Sequence, residues 1–562
     1  MAGHVNMMDD VLIANLPVTW LQSSLRTLVS QGSSTQQPFV QHVRNRLLES
    51  PPPLLEPDVL FPNATDVSQK CVDYLALTRC IFSSKLAEFS LPYLTHFVQC
   101  LVERQTTWAN RSQLERVMVQ FDGDIVQAVQ ALKESRSTHS PELLDQLERL
   151  VSALEQFRTY SSTNIDLKFP FRRAERQTKD LLLGWYPESK TAQNTSRTMS
   201  PPLPTTLPER SNIETFKLGP HSMPRLFNGL WQLSSPAWGS GTNEAQEQAL
   251  AQLLESGLTT ADMADHYGDA ELIYGDFRNK LMPEVKSKVF AATKWCVFSP
   301  PQEPVTKDWV LEAVKERSRR LGGRVEVLQF HWHDYEATEY LDILVHLVNI
   351  SKEQPGLVSA IGLCNFDAEH TDAVCSYLIG QTGSVGIVSN QIQFSLFDSR
   401  PLHRMCAVCE KYGLKLLTYG SFCGGFLASK WIDQPAPDIY KAVEPLTPSQ
   451  RKYLDIIKAW GTWEDYQHLL RGLSEIGQKY NVSLSNVAIR WVLQQPAVGA
   501  AIVGTRLGVS SHGNDNTRVS SLRLSEEDSS AINRIALGED LTRSKALFEK
   551  LGDCGNEYRA LQ

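Results

Sequence analysis

The chain has no long hydrophobic run: nowhere do its 562 residues approach the roughly 18 uninterrupted apolar positions that a bilayer-crossing helix needs. No membrane partner is expected. Basic residues are outnumbered, 55 Lys and Arg against 63 Asp and Glu for a net charge of −8, and nucleic-acid binding draws much of its affinity from phosphate neutralisation. No nucleic-acid partner is expected either. Cysteine is sparse, 10 residues scattered along the chain, which suits reduced thiols inside a cell better than a disulfide framework. The apolar stretch Val11 to Leu21 contains Pro17 and follows Asp9 and Asp10, where a secretory signal would carry positive charge. The expected compartment is the cytoplasm. The C-x-x-C of Cys406 and Cys409 stands alone, and a cage from Asp262, Asp265 and His266 lacks a further His or Cys cluster at ligand spacing, so no metal site is expected. No G-x-G-x-x-G opens a helix after a strand.

What is present is a soluble composition, 42% apolar and 21% charged, in a chain long enough for two domains. Residues 1–186 carry apolar residues at spacings of three and four with little alternation, in "VTWLQSSLRTLV", "CVDYLALTRCIF" and "LLDQLERLVSALEQF". That predicts an all-α domain. Residues 187–213 are rich in Pro, Ser and Thr and predict a flexible linker. From 214 to 540 the rhythm changes to short β-branched or apolar runs: "RLFNGLW", "LTTADM", "KVFAATKW", "EVLQFHW", "VSAIGLCNF", "GIVSNQIQF", "LKLLTYGS" and "GAAIVGT". With amphipathic stretches between them, these eight units predict an α/β fold, a (β/α)8 TIM barrel whose site lies at the C-terminal strand ends. Residues 541–562 read as a helical tail that either docks on the barrel or stays mobile.

Three successive strands end in chemistry-bearing residues. "TTADMADHYG" puts Asp262 at a strand end with Tyr267 on the following loop; "AATKW" ends in Lys294, and "LQFHWHD" in His331. Alternation sets Phe290, Ala292 and Lys294 on one face, and Val327, Gln329 and His331 on one face. A phenol is a weak acid, and a neighbouring ammonium favours its phenolate. Tyr267 is thus a candidate proton donor whose pKa Lys294 should lower, with Asp262 holding Lys294 charged and His331 orienting a substrate oxygen: a site suited to carbonyl reduction.

These motifs, in this order, resemble the Asp, Tyr, Lys and His tetrad of the aldo-keto reductases over about residues 215–537. The resemblance implies hydride transfer from NADPH, with NADH admitted, to an aldehyde or ketone, or the reverse oxidation of an alcohol. The expected partner is a small carbonyl or alcohol compound. It also implies cofactor residues: Asn365 beside Cys364 in "IGLCNF", where relatives use Ser, and Gln391 at the nicotinamide carboxamide; Tyr419 stacked on the nicotinamide; Ser421 and Gly425 at the pyrophosphate; Arg506 at the 2′-phosphate and Asn516 near the adenine. Trp231, Trp295 and Trp332 are candidate walls of a substrate pocket, and Trp460, Trp463 and Tyr466 of the long stretch 431–480 are candidates to shape it. The competing reading is a cofactor-binding regulatory or interaction subunit with little turnover. Residues 1–186 show no catalytic grouping; a module for a protein partner or self-association is the foremost expectation, with a lid that alters substrate access and an independent fused activity as the alternatives.

Overall fold

The computed structural model describes residues 7–29, 32–134, 139–163, 167–189, 202–208, 212–234, 241–298, 301, 303–437, 446–510 and 512–559. The chain divides into two compact units, the first chiefly Met1–Thr178 and the second chiefly Lys179–Pro437 and Pro445–Glu557.

The first unit is helical, from α1 (Met7–Asn15) through α2 (Val18–Val29), α3 (Ser33–Glu49), α4 (Pro57–Leu60), α5 (Gln69–Ser83), α6 (Ala87–Glu103), α7 (Gln113–Glu134) and α8 (Pro141–Ser162) into α9 (Arg172–Trp185). Its ends are marked by chemistry readable in the chain: Ser68 caps α5 and Ser140 caps α8, each hydroxyl accepting from a backbone N–H of the first turn. The core is aromatic, with Phe97 and Phe121 at 4.2 Å and Phe157 and Phe171 at 5.2 Å between ring centroids. Arg79 grips Asp124 through both carboxylate oxygens at 2.9 Å, the pairing a half-buried guanidinium needs. The division between the units falls inside α9. Its residues from Lys179 onward belong to the second unit, where Asp180 pairs with Arg319 at 2.6 Å and with Arg320 at 2.9 Å.

Among the described residues the second unit holds ten strands: β1 (Thr215–Leu218), β2 (His221–Pro224), β3 (Leu226–Gly229), β4 (Thr260–Asp262), β5 (Phe290–Cys296), β6 (Val327–His331), β7 (Ile361–Cys364), β8 (Ile387–Gln393), β9 (Lys415–Tyr419) and β10 (Val498–Gly504). Strands β3 to β10 close into a parallel barrel of eight with helices between them, as the alternation of segments predicts. Two cores follow from the pleat. Residues such as Ala291, Leu328, Phe330 and Leu363 fill the layer between strands and helices, while Phe227, Ala292, Val327, Leu417 and Ala500 fill the inside.

The antiparallel hairpin β1–β2 was not foreseen. Its Leu218 and Met223 pack with the inner core and close the N-terminal end of the cylinder. Gly219, at φ 55°, makes the turn, and "LGPH" between alternating residues is the signal that was there to read. Of the Pro/Ser/Thr-rich stretch, residues 190–201 and 209–211 lie outside the described residues. The described part includes Leu203, whose N–H donates to the Lys280 carbonyl at 2.9 Å, and the buried Thr205. This portion therefore lies against the barrel. The tail docks too: Arg400, buried after β8, pairs with Asp398 at 2.8 Å and with Glu557 at 3.0 Å.

Candidate active site

Asp262 ends β4, Lys294 sits one turn of the pleat before the end of β5, and His331 ends β6. All three are at most 6% exposed. Register places Cys296 beside His331 and His331 beside Cys364, so neighbouring strands deliver their side chains to one rim. Lys294 Nζ donates to Asp262 Oδ2 at 2.6 Å and to the Met263 carbonyl at 2.8 Å, and it lies 4.8 Å from the centre of the Tyr267 ring. Burial disfavours the Lys294 ammonium, but Asp262 and Tyr267 outweigh it and raise the amine above its ordinary value.

The phenol departs from expectation. Burial raises the Tyr267 pKa and outweighs the lowering by Lys294, so the net shift is upward. The phenol is therefore protonated at neutral pH, with the Lys294 ammonium beside its ring. His331 Nδ1 meets the Cys364 carbonyl at 3.0 Å. A carbonyl only accepts, so Nδ1 carries the proton and Nε2 is the acceptor nitrogen of the neutral ring. Burial pulls this imidazole down to about 4 despite that hydrogen bond, keeping it neutral at physiological pH.

Two tryptophans leave the pocket. Trp295 and Trp332 each stand one residue beyond an inward-facing group, so the pleat turns them outward. Trp295 packs on Trp309 and Phe330; Trp332 lies on Phe330 and Tyr340 and donates to the Asp334 carbonyl. Trp231, half-buried, begins a short 3-10 turn after β3 at the same rim. The candidates of the long stretch are also structural. Trp460 donates to the Ala536 carbonyl at 2.7 Å, Trp463 to that of Gln434 at 2.9 Å, and Tyr466 to that of Phe426 at 2.8 Å, and the last two rings pack at 4.3 Å.

Two other rings border Tyr267 and His331: that of His266, weighed from the sequence only as a metal ligand, and that of Phe298, which was not singled out. His266 stands edge-on to Tyr267 at 4.8 Å and to Phe298 at 5.5 Å, and Phe298 is 6.4 Å from His331. Beneath them Asp265 accepts from Arg317 and from the Cys296 N–H. Burial would raise the Asp265 carboxyl, but Arg317 and His266 hold it well below the usual carboxylate range. Ligand atoms of Asp265, His266 and Cys296 lie within 4.8 Å of one another. With a guanidinium already on the carboxylate, and burial keeping the thiol protonated, the group is poorly suited to a cation.

The profile of the aldo/keto reductase family matches residues 225–537. The chain belongs to the aldo/keto reductase family. Pyridoxal reductase of Arabidopsis thaliana chloroplasts is 24% identical over 309 residues, 50% of this chain and 80% of that protein. Aldo-keto reductase YhdN of Bacillus subtilis is 22% identical over 295 residues, 50% of this chain and 81% of that one. Flagellar radial spoke protein 5 of Chlamydomonas reinhardtii is 28% identical over 181 residues, which are 30% of this chain and 33% of its own length. Aldo/keto reductases use nicotinamide cofactors to reduce carbonyl compounds.

The residues of this aldo/keto reductase fit such a cofactor in part. Gln391 Nε2 donates to Asp262 Oδ1 at 2.7 Å and to Gln329 Oε1 at 2.6 Å, so both amide hydrogens point into the barrel and Oε1 is the end suited to accept from a carboxamide. Asn365, in the left-handed region at φ 61°, accepts from the Tyr419 hydroxyl at 2.9 Å. That bond ties together two expected nicotinamide contacts on β9 and after β7. The Cys364 thiol is a weak donor, and burial pushes it up to about 12. The Ser421 hydroxyl donates to the Phe394 carbonyl at 2.9 Å. Gly420, Gly424 and Gly425 adopt φ of 73°, 62° and 88°, and the Cys423 and Gly425 N–H groups close tight turns on the Gly420 and Phe422 carbonyls at 2.8 and 3.0 Å. Arg506 is exposed just beyond β10, and Asn516 lies on the short helix Gly513–Thr517.

Proposed function

We propose that the chain reduces an aldehyde or ketone with NADPH, or runs the reverse oxidation, with Tyr267 as the proton donor. The observation that carries this reading is Lys294, clamped by Asp262 at 2.6 Å and held against the Tyr267 ring at 4.8 Å. A bound dihydronicotinamide supplies the hydride. Tyr267 gives its proton to the substrate oxygen, and Lys294 stabilises the phenolate that remains. Neutral His331, with Nε2 as acceptor, orients a substrate hydroxyl, which is its role when an alcohol is bound. Gln391, Asn365 and Tyr419 hold the nicotinamide end, the backbone around Ser421 and Gly425 holds the pyrophosphate, and Arg506 and Asn516 hold the adenosine end. An exposed guanidinium at Arg506 favours the 2′-phosphate of NADPH over NADH. The rings of His266 and Phe298 suit a flat, unsaturated aldehyde, in keeping with the pyridoxal-reducing relative.

Replacing Tyr267 with Phe is expected to lower aldehyde reduction by at least ~10³-fold. NADPH affinity, read by nicotinamide fluorescence, is expected to stay within about twofold, the cost of less than 0.5 kcal/mol. Wild-type turnover in that variant removes the assignment.

A second reading, a cofactor-binding subunit with little turnover, is favoured by the radial spoke relative. NADPH binding without oxidation across a panel of sugar, aromatic and pyridoxal-like carbonyls would select it. Under either reading we assign the helical unit to protein contacts, supported by the exposed side chains of Val11, Leu12, Ile13, Val18 and Trp20.

A further inference from the structure

We propose that Gln329 is a positioning residue for the proton donor: with Gln391 it forms an amide clamp that fixes the Asp262 carboxylate against Lys294. The proposal rests on the reductase reading above and extends it to a residue two positions before His331. Three side chains from alternate strands of the closed ring meet inside the cylinder, Asp262 from β4, Gln329 from β6 and Gln391 from β8. None is more than 3% exposed. Gln329 Nε2 donates to Asp262 Oδ1 at 2.9 Å, Gln391 Nε2 donates to the same oxygen at 2.7 Å, and the second hydrogen of Gln391 reaches Gln329 Oε1 at 2.6 Å. Lys294 takes the other oxygen, Oδ2, at 2.6 Å.

The chemistry allows one orientation of each amide. A carboxylate has no donor, so both amides must turn their nitrogens to Asp262, and Gln329 Oε1 then faces the remaining Gln391 hydrogen. One carboxylate oxygen is thereby reserved for neutral donors and the other for the ammonium. Without Gln329, Oδ1 keeps a single amide and the carboxylate can rotate, carrying Lys294 away from the Tyr267 ring. The intervening strand makes room for the clamp. At Gly362 of β7 a Cβ would stand 2.4 Å from Ser389 Oγ and 3.5 Å from Gln329 Cγ.

The test compares Gln329→Leu and Gln329→Glu with the wild-type chain. Leu fills the space without donors and is expected to lower kcat by ~10- to 100-fold, with NADPH affinity unchanged within about twofold. Glu is isosteric. Protonated, it can donate to Asp262 and accept from Gln391 as the amide does; ionised, it faces Asp262 from β4, with Lys294 from β5, Tyr267 after β4, and the Cys364 thiol from β7 as the other titratable neighbours. Two carboxylates at that separation do not both ionise readily, so the Glu pKa rises. The ratio of its kcat to wild type is expected to be near one at pH 5 and to fall at least ~10-fold by pH 8. Its melting temperature relative to wild type should fall over the same range, and adding Asp262→Asn should remove most of that fall.

A Leu variant with wild-type kcat, or a Glu variant whose kcat ratio does not change with pH, overturns the clamp even if Tyr267→Phe is inactive. If wild type turns over no carbonyl compound, the reductase reading fails by itself and the melting arm decides: a widening gap that Asp262→Asn leaves untouched overturns the clamp, and one that it removes supports it.

Discussion

The two ends of the barrel are built from the same eight strands and opposite chemistry. At the N-terminal end Leu218 and Met223 of the β1–β2 hairpin pack with Phe227, Val327 and Leu417 in an apolar plug. Further along the barrel strands, the inward side chains are Asp262, Lys294, Gln329, His331 and Gln391, all buried. A buried charge is costly unless every group around it is paired. The plug end therefore carries stability that tolerates any well-fitting apolar residue, while the polar end depends on each partner of a connected network. Conservative changes should act on folding at one end and on chemistry at the other.

The largest effect that would sharpen this contrast is at Lys294. Lys294→Met keeps the length of the side chain and removes the charge beside Tyr267; kcat is expected to fall ~10³-fold, about 4 kcal/mol of transition-state stabilisation. Steady-state rates with NADPH binding measured in parallel check it, and a loss confined to binding would break the contrast. Next is the plug. Met223→Ala leaves a cavity and is expected to cost about 3 kcal/mol in denaturant unfolding with kcat of the folded protein unchanged. A fall in kcat at constant stability would show that the two ends are not separable.

The smallest effect joins the two properties at His331. Its native pKa of about 4 lies below the ordinary value of 6.5. As pH falls from 6.5 toward 4 the unfolded chain takes up a proton that the native ring refuses, so stability declines across that window and levels off below it. His331→Asn should remove most of that decline, read from unfolding curves at pH 7 and pH 4. An unchanged decline would place the acid sensitivity elsewhere.

The eight barrel strands were legible because each is a short apolar run whose alternation separates two faces, and Lys294 and His331 follow from that alternation alone. Trp295 and Trp332 were misplaced although the same rule applied: a residue next to an inward one points outward. Their aromatic character suggested a pocket where their parity did not. The upward net shift of Tyr267 was illegible, since a neighbouring ammonium can be inferred from sequence but burial of the ring cannot be weighed there. Gln329 was set on the correct face, yet nothing in a lone amide two residues before a histidine announces a carboxylate and a second amide across the barrel.

By itself, then, the order of residues determined the helical first unit, the parallel eight-stranded closure and which groups arrive at one rim, because periodicity and strand parity are local properties of a chain. Tertiary structure alone decided how those groups pair and which forms they hold. Asp262, Gln329 and Gln391 meet only when β4, β6 and β8 share one cylinder, and the desolvation that keeps Tyr267 protonated and His331 neutral exists only once that cylinder has closed.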